Sequence, residues 1–158
     1  MHPKIIIAGV VVILLVAGAA FIMLTPSATA PTTDDGGTTP GTTTDQGNAA
    51  AKADLIKATT PAAGSKITSP LTVTGQARGT WYFEASFPYE LKDAQGQTIA
   101  QGPVQAQGDW MTTEFVPFSV TITFPAQPAG SKGTLLLKKD NPSGLPENED
   151  QLEIPVTF

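Results

Sequence analysis

The sequence predicts an all-β fold, an antiparallel two-sheet sandwich of immunoglobulin type with about seven to eight strands. Apolar and polar residues alternate with a period of two along the last two thirds of the 158-residue chain. Strands with one buried and one solvated face have this pattern. Turn-forming residues recur about every ten positions, and no long segment of this region shows the helical period.

The N-terminal segment predicts one transmembrane helix at residues 1–24. Residues 5–24 form a run of twenty without a charge, and at about 1.5 Å per residue this run matches the hydrocarbon thickness of a bilayer. Lys4 precedes the run and Lys52 is the next cation, so the positive-inside rule places the N-terminus in the cytoplasm. A cleaved signal peptide is the alternative, because Ala28-Thr29-Ala30 has the form of a cleavage site.

Residues 25–53 predict a flexible linker. They are rich in Thr, Pro and Gly and contain no large apolar side chain, so they cannot contribute to a core. The chain has no cysteine, which excludes a lipid-anchored lipoprotein. We therefore predict a single-pass protein of a bacterial-type cell membrane, with residues 54–158 outside the cytoplasm as the folded domain.

The strands of this domain follow from local pattern. Residues 116–124 place Val, Phe, Val, Ile and Phe on one face, and residues 81–91 alternate in the same way, with Tyr82 on the polar face. Pro88 predicts an edge strand or a bulge, because proline has no N–H to donate. Six shorter runs complete the set: residues 55–58, 71–74, 98–101, 104–107, 135–138 and 152–158.

Composition and charge exclude several kinds of partner. The net charge is −5, and residues 54–158 contain seven Lys or Arg against eleven Asp or Glu. An acidic domain is unsuited to nucleic acid or to anionic lipid, which both require a basic surface. Without cysteine there is no disulfide and no thiolate metal site, so apolar packing and the backbone ladder must stabilise the domain.

Four segments carry a resemblance to a known family: SKITSPLTVTGQARG from Ser65, WYFEASFPYELKDAQGQTIAQG from Trp81, GDWMTTEFVPFSVTITF from Gly108 and KDNPSGLPEN from Lys139. In combination they resemble the immunoglobulin-like domain of bacterial spore germination, over nearly the whole region after the linker. The resemblance implies an immunoglobulin-like sandwich in an extracytoplasmic bacterial protein and brings no catalytic residues. A germination-type second domain, which often accompanies it in that family, is not found in this sequence.

Catalytic chemistry has few candidate residues. The one histidine is His2, so the domain has no imidazole for a catalytic triad or a zinc site. Ser65 and Lys66, as neighbours on an extended segment, point to opposite faces. Carboxylates that could in principle serve a glycosidase are better explained as solvated charges: Glu84, Glu90, Asp93, Asp109 and Glu114. We predict no enzyme, no cofactor and no metal site.

An acidic loop leaves one alternative open. Residues 147–150, with Asp140 and Asn141 before them, supply oxygen ligands of the kind that calcium prefers. The spacing of an EF-hand is absent, and an ordinary acidic loop is the simpler interpretation.

Two aromatic residues are the candidates for ligand contact. Tyr82 is predicted on the polar face of its strand, and Trp110 follows a Gly-Asp turn. Exposed aromatic rings stack on sugars or anchor protein interfaces. The alternative is structural, with Trp110 closing one end of the core and Tyr82 covering an edge strand.

Together these features predict a non-catalytic module at the cell envelope that recognises a protein or cell-wall glycan, or presents a structure there. The alternative is a secreted protease inhibitor or a small carbohydrate-active enzyme that uses surface carboxylates. An inhibitor would need a protruding loop, for which residues 141–148 are the candidate.

Overall fold

The computed structural model describes residues 46–158 of the chain. The predicted membrane helix at residues 1–24 and most of the predicted linker at residues 25–53 lie outside this range. Among the described residues, no helix is long and apolar enough to cross a membrane.

Within residues 46–158 the chain forms seven strands and one short α-helix. The helix α1 spans Ala49–Lys52, and the strands are β1 (Ile56–Thr60), β2 (Leu71–Arg78), β3 (Ser86–Lys92), β4 (Thr98–Ala106), β5 (Phe115–Ile122), β6 (Lys132–Lys138) and β7 (Gln151–Thr157). Single 3-10 turns occupy Gly79–Trp81 and Pro146–Asn148. The predicted all-β class is confirmed.

The strands form one antiparallel sheet in the order β1-β2-β5-β4-β3-β6-β7. Strand β4 pairs with β3 along most of its length, but it meets β5 through two residue pairs, Gln105 with Ser119 and Ala106 with Phe118. The Phe87 ring of β3 and the Phe118 ring of β5 meet edge to face, with their centroids 5.2 Å apart. This contact between strands on either side of β4 shows that the sheet folds over at the junction. The architecture is therefore sandwich-like, with a short bridge between its two halves.

The core between the two halves is apolar, and no polar or charged residue of the described range is buried. Alternate residues of each strand point inward, as the period-two pattern requires. The largest fully buried side chains are Trp81, Phe87, Phe118, Ile56, Leu91, Ile122, Leu135, Leu137, Leu152, Val73 and Val104.

The outer edge of β7 is covered by other parts of the chain. Asn48 acts there as a peptide group would, because its Nδ2 donates to the oxygen of Gln151 at 3.0 Å and its Oδ1 accepts from the nitrogen of Glu153 at 2.8 Å. Further along, residues 65–67 pair with Thr157. Free strand edges recruit other chains, so this cover protects the domain against edge-to-edge association.

The folded domain begins earlier than the predicted boundary at residue 54. Helix α1 lies inside the predicted linker, and the Lys52 ammonium pairs with the Asp150 carboxylate at 2.5 Å. Gly47 has φ +62° and lies so close to β7 that a Cβ would overlap the oxygen of Glu153. The pattern gave no sign of this, since Gly, Asn and Ala supply no apolar periodicity.

One strand prediction is corrected, and another is explained by the strand pairing. The predicted strands at residues 98–101 and 104–107 form the single strand β4, because Pro103 lies opposite Pro88 and pairing continues on both sides. Strand β3 is internal in the strand order, but Pro88 lies at a locally unpaired edge of it, in agreement with the prediction from its missing N–H. Pairing of β3 with β6 begins at Tyr89, so Pro88 lies before the ladder in which a missing N–H would matter.

The alternation predicted from residue 81 begins in fact at Ser86. Phe83 and Ser86 exchange backbone hydrogen bonds of 2.9 and 3.1 Å, which closes a two-residue turn. Glu84 and Ala85 occupy this turn with φ of 48° and 63°. The turn changes the phase of the preceding residues, so that Tyr82 is 4% exposed and Phe83 is 42% exposed. The predicted placement of Tyr82 on the solvated face is wrong.

Tyr82 is instead part of the core. Its hydroxyl donates to the oxygen of Val116 at 2.9 Å, and its ring centroid lies 5.2 Å from that of Phe87. Burial raises the pKa of Tyr82 to about 12, although the backbone of Ala77 acts in the opposite direction. A charged phenolate would be costly at this site.

We expect the domain to lose stability between pH 10 and pH 12. Tyr82 ionises near 10.0 when unfolded but has a folded pKa of about 12, so in this window the unfolded state binds fewer protons and stability falls as pH rises. Denaturant unfolding at several pH values measures this slope. Tyr82→Phe should reduce the slope, leaving the contribution of Tyr89, whose pKa is also raised by burial. Equal slopes for the two proteins would contradict the assignment.

Candidate functional site

Three loops and the start of β1 meet at one end of the sandwich. We call this end the loop pole and define it as residues 53–55, 79–85, 107–114 and 139–150. The antiparallel order explains the convergence, because β1, β3, β5 and β7 begin at this end and β2, β4 and β6 finish there. Immunoglobulin-type domains commonly place recognition loops at one end.

The loops of the pole are in direct contact. The Gly79 nitrogen donates to the oxygen of Glu114 at 3.1 Å, and the Asp140 nitrogen donates to the oxygen of Trp81 at 3.0 Å. Gly79 also lies against the backbone oxygens of Trp110 and Thr112, with no room for a Cβ. These contacts join the three loops into one surface.

Every large apolar side chain that is exposed in the described range belongs to the loop pole. These residues are Leu55 (38% exposed), Phe83 (42%), Met111 (77%) and Leu145 (49%). They come from four separate segments of the sequence. Single exposed apolar residues are ordinary, but a group at one end indicates an interaction surface.

Of the two predicted contact residues, Trp110 belongs to the loop pole surface and Tyr82 does not reach it. Trp110 is half-buried and packs against the core, in keeping with the structural alternative, yet it is followed by the highly exposed Met111. Tyr82 is buried, and Phe83 is the exposed aromatic residue in its place. The sequence missed Phe83 because the expected alternation placed it inside.

The turn that presents Phe83 is strained. Left-handed backbone costs a residue with a Cβ about 1–2 kcal/mol, and two-residue hairpin turns of this kind favour Asn and Gly. Here the two positions are Glu84 and Ala85. Strain of this kind is found where a chain must present particular residues.

We expect Ala85→Gly to raise the free energy of unfolding by about 0.5–1 kcal/mol, because glycine adopts positive φ without a steric cost. Denaturant unfolding of the full chain measures the change. The matched control is Ala58→Gly in β1, where glycine has no such advantage and should destabilise. A loss of stability in Ala85→Gly would show that the turn is not strained.

The loop pole is strongly acidic. It contains eight acidic residues, Asp54, Glu84, Asp109, Glu114, Asp140, Glu147, Glu149 and Asp150, and one basic residue, Lys139. Burial, together with the negative charge of Glu84, raises the pKa of Asp140. The loops that carry Glu84 and Asp140 thus place two negative charges near each other.

Four of the five carboxylates considered for catalysis are engaged in local structure, and the fifth, Glu84, lies in the tight turn after Phe83. Burial alone would raise the pKa of Glu90, but the hydrogen bond and charge of Lys138, with Lys92, hold it below its usual value. Asp93 accepts from two backbone nitrogens of its own turn. Asp109 accepts from the nitrogen of Met111, and Glu114 lies 3.7 Å from Arg78.

The other two chemical candidates are likewise explained by local contacts. The Ser65 hydroxyl donates to the oxygen of Ala62 at 2.6 Å. Within residues 46–158, no group of three or more His, Cys, Asp or Glu is placed to hold a metal ion. In the acidic loop, Asp150 is paired with Lys52, and a hollow of about 590 Å³ beside it is lined by lysines as well as carboxylates.

The seven antiparallel strands and their sandwich-like arrangement are those of an immunoglobulin-like domain. The chain belongs to the family described as the immunoglobulin-like domain of bacterial spore germination, whose model matches residues 55–144. This match covers more than half of the chain, confirms the resemblance of the sequence segments and indicates a non-catalytic kind of domain. No curated protein and no solved structure gives a significant match.

Proposed function

We propose that the protein is a membrane-tethered, extracytoplasmic and non-catalytic module that binds a protein partner through the loop pole. One observation carries this proposal: the exposed large apolar side chains of the described range, Leu55, Phe83, Met111 and Leu145, all lie at this end. Grouped exposed apolar side chains mark interaction sites, and aromatic residues and methionine are enriched at protein interfaces.

The loops are organised before any partner arrives. In the β6–β7 loop, Asn141 Nδ2 donates to the oxygen of Leu145 at 2.8 Å, and the Ser143 hydroxyl links Asn141 with Asn148. These bonds fix the loop that carries Leu145. A preformed loop loses less conformational entropy on binding, which supports recognition by this surface.

A second candidate partner is a neutral cell-wall glycan on the outer face of β2, β5 and β4. Uncharged hydroxyl and amide side chains form cross-strand rows on this face: Thr72 with Thr121, and Thr74 with Ser119 and Gln105. Such groups match the hydroxyls of a sugar. The aromatic ring on this face, Phe115, is half-buried and covered by Lys57 and Arg78. It is therefore not open for stacking on a sugar, and the loop pole is the preferred site.

The tether is tested with engineered cysteines, since the chain has none. In intact cells that express the full chain, a membrane-impermeant maleimide should label Glu147→Cys in the exposed loop. It should label His2→Cys after permeabilisation. The apparent mass of the labelled protein distinguishes a retained helix from a cleaved signal peptide. Labelling of Glu147→Cys that required permeabilisation would overturn the extracytoplasmic location.

The recognition surface is tested by removing two anchors together. We expect Phe83→Ser with Met111→Ser to reduce capture of a partner from detergent-solubilised envelopes at least tenfold, a loss of about 1.4 kcal/mol or more. Both side chains are exposed, so the fold should be unchanged. The matched control is Thr72→Ala with Thr121→Ala on the uncharged sheet face. Loss of capture or of glycan binding in the control alone would favour the second candidate.

A further inference from the structure

The charges of the domain are divided by location. The loop pole has eight acidic residues and one basic residue, whereas the rest of the described range has three acidic residues, Glu90, Asp93 and Glu153, against seven basic ones. The acidic residues are dispersed in the sequence, and the strand order brings the loops that carry them to the same end of the domain. A surface of one sign steers and selects partners of the opposite sign.

Each exposed apolar residue of the loop pole has a carboxylate one or two positions away. Asp54 precedes Leu55, Glu84 follows Phe83, Asp109 lies two residues before Met111, and Glu147 lies two residues after Leu145. Apolar anchors and negative charges therefore alternate across one surface. Protein interfaces likewise combine apolar contacts with polar and charged groups, the latter mostly at the rim.

Among the described residues, several carboxylates of the loop pole have no ion-pair partner. Within residues 46–158, Asp150 pairs with Lys52 and Glu114 with Arg78, but the ion pairs do not include Glu84, Asp140, Glu147 or Glu149. Glu84 and Asp140 are close enough to repel each other. A positive group supplied from outside would relieve this repulsion.

We propose that the partner of the loop pole is a protein with a cationic surface, in which Lys or Arg side chains surround apolar pockets. This inference rests on the proposed function and specifies its partner class. Leu55, Phe83, Met111 and Leu145 enter the pockets, and the adjacent carboxylates meet the basic side chains. The same charges disfavour anionic wall polymers and anionic lipid headgroups, which would be repelled.

The test places a photo-crosslinking amino acid in the full chain in cells, at position 111 in the loop pole and at position 121 on the uncharged sheet face. We expect position 111 to crosslink to a protein through a segment rich in Lys or Arg, and position 121 to give no such product. The crosslinked partner is then purified and used as the probe for affinity measurements with the full chain in detergent.

Affinity should depend on salt and on the unpaired carboxylates. Raising ionic strength from about 0.05 to about 0.5 M should weaken binding about tenfold by screening. The triple variant Glu84→Gln, Glu147→Gln, Glu149→Gln should weaken it about as much and remove most of the salt dependence. The matched single variants are Glu147→Gln, which should weaken binding, and Glu153→Gln on β7, which should not.

The outcomes separate the inference from the proposed function. A crosslink at position 111 to an acidic or neutral segment, or binding that ignores salt, overturns the cationic partner and leaves recognition by the loop pole intact. A crosslink from position 121 to glycan, with none from position 111, overturns both. No crosslinked protein from position 111 also overturns both.

Discussion

Replacement of Phe87 by alanine is expected to lower the free energy of unfolding by about 3–5 kcal/mol, the usual cost of a large aromatic deletion in a core. Phe87 is 1% exposed, and its ring contacts Tyr82 and Phe118 with centroids 5.2 Å away in both cases. The cavity would open where β3 faces β5, at the bridge between the two halves. For a domain of this size the loss is a large share of total stability.

Denaturant unfolding followed by tryptophan fluorescence measures this effect, because both tryptophans, Trp81 and Trp110, belong to the domain. The matched control is Phe83→Ala, an exposed phenylalanine four positions earlier, which should change stability by about 0.5 kcal/mol or less. If Phe87→Ala cost no more than Phe83→Ala, the assignment of Phe87 to the centre of the core would be refuted.

Strand β5 shows what local pattern predicts well. The alternation in residues 116–124 placed Val116, Phe118 and Ile122 inside, and all three are buried. The prediction succeeds because strand periodicity depends on backbone geometry and one buried face. The same argument predicted β7, where Leu152, Ile154 and Val156 are buried. Strand β6 was predicted as a short apolar run, and its three consecutive leucines, Leu135 to Leu137, are all buried.

The segment before β3 shows where local pattern fails. Glu84 and Ala85 adopt positive φ in a tight turn, although that turn type favours Asn and Gly. Nothing in these two residues signals the turn, because surrounding structure imposes the strained conformation. The predicted alternation was therefore extended back to Trp81 without a break. As a result, Tyr82 was predicted to be exposed and Phe83 buried, whereas Tyr82 is buried and Phe83 is exposed.

The loop pole was partly predictable. The sequence indicated the acidic loop at residues 147–150, with Asp140 and Asn141 before it, and the position of Trp110 after a turn. It could not indicate that Leu55, Phe83, Met111 and Leu145 lie at one end, because that requires the strand order β1-β2-β5-β4-β3-β6-β7. Convergence of this kind depends on long-range pairing, which local periodicity does not contain.

Gly79 affects both the stability of the domain and the position of the loop pole. Gly79 is buried at the end of β2, and a Cβ there would overlap the backbone oxygens of Trp110 and Thr112. Backbone atoms cannot rotate away as a flexible side chain does. We therefore expect Gly79→Ala to lower the free energy of unfolding by on the order of 3 kcal/mol, as overpacked sites do, and to displace residues 107–114.

The displacement should also weaken partner capture, although Gly79 has no exposed side chain to contact a partner. The matched control is Gly108→Ala in the loop of residues 107–114, where the nearest atom to a new Cβ is Val116 Cγ1 at 4.0 Å, so stability and capture should change little. Measurement of unfolding and capture for both variants separates loop position from surface chemistry. Capture that survived Gly79→Ala would show that the partner does not depend on the packed arrangement of these loops.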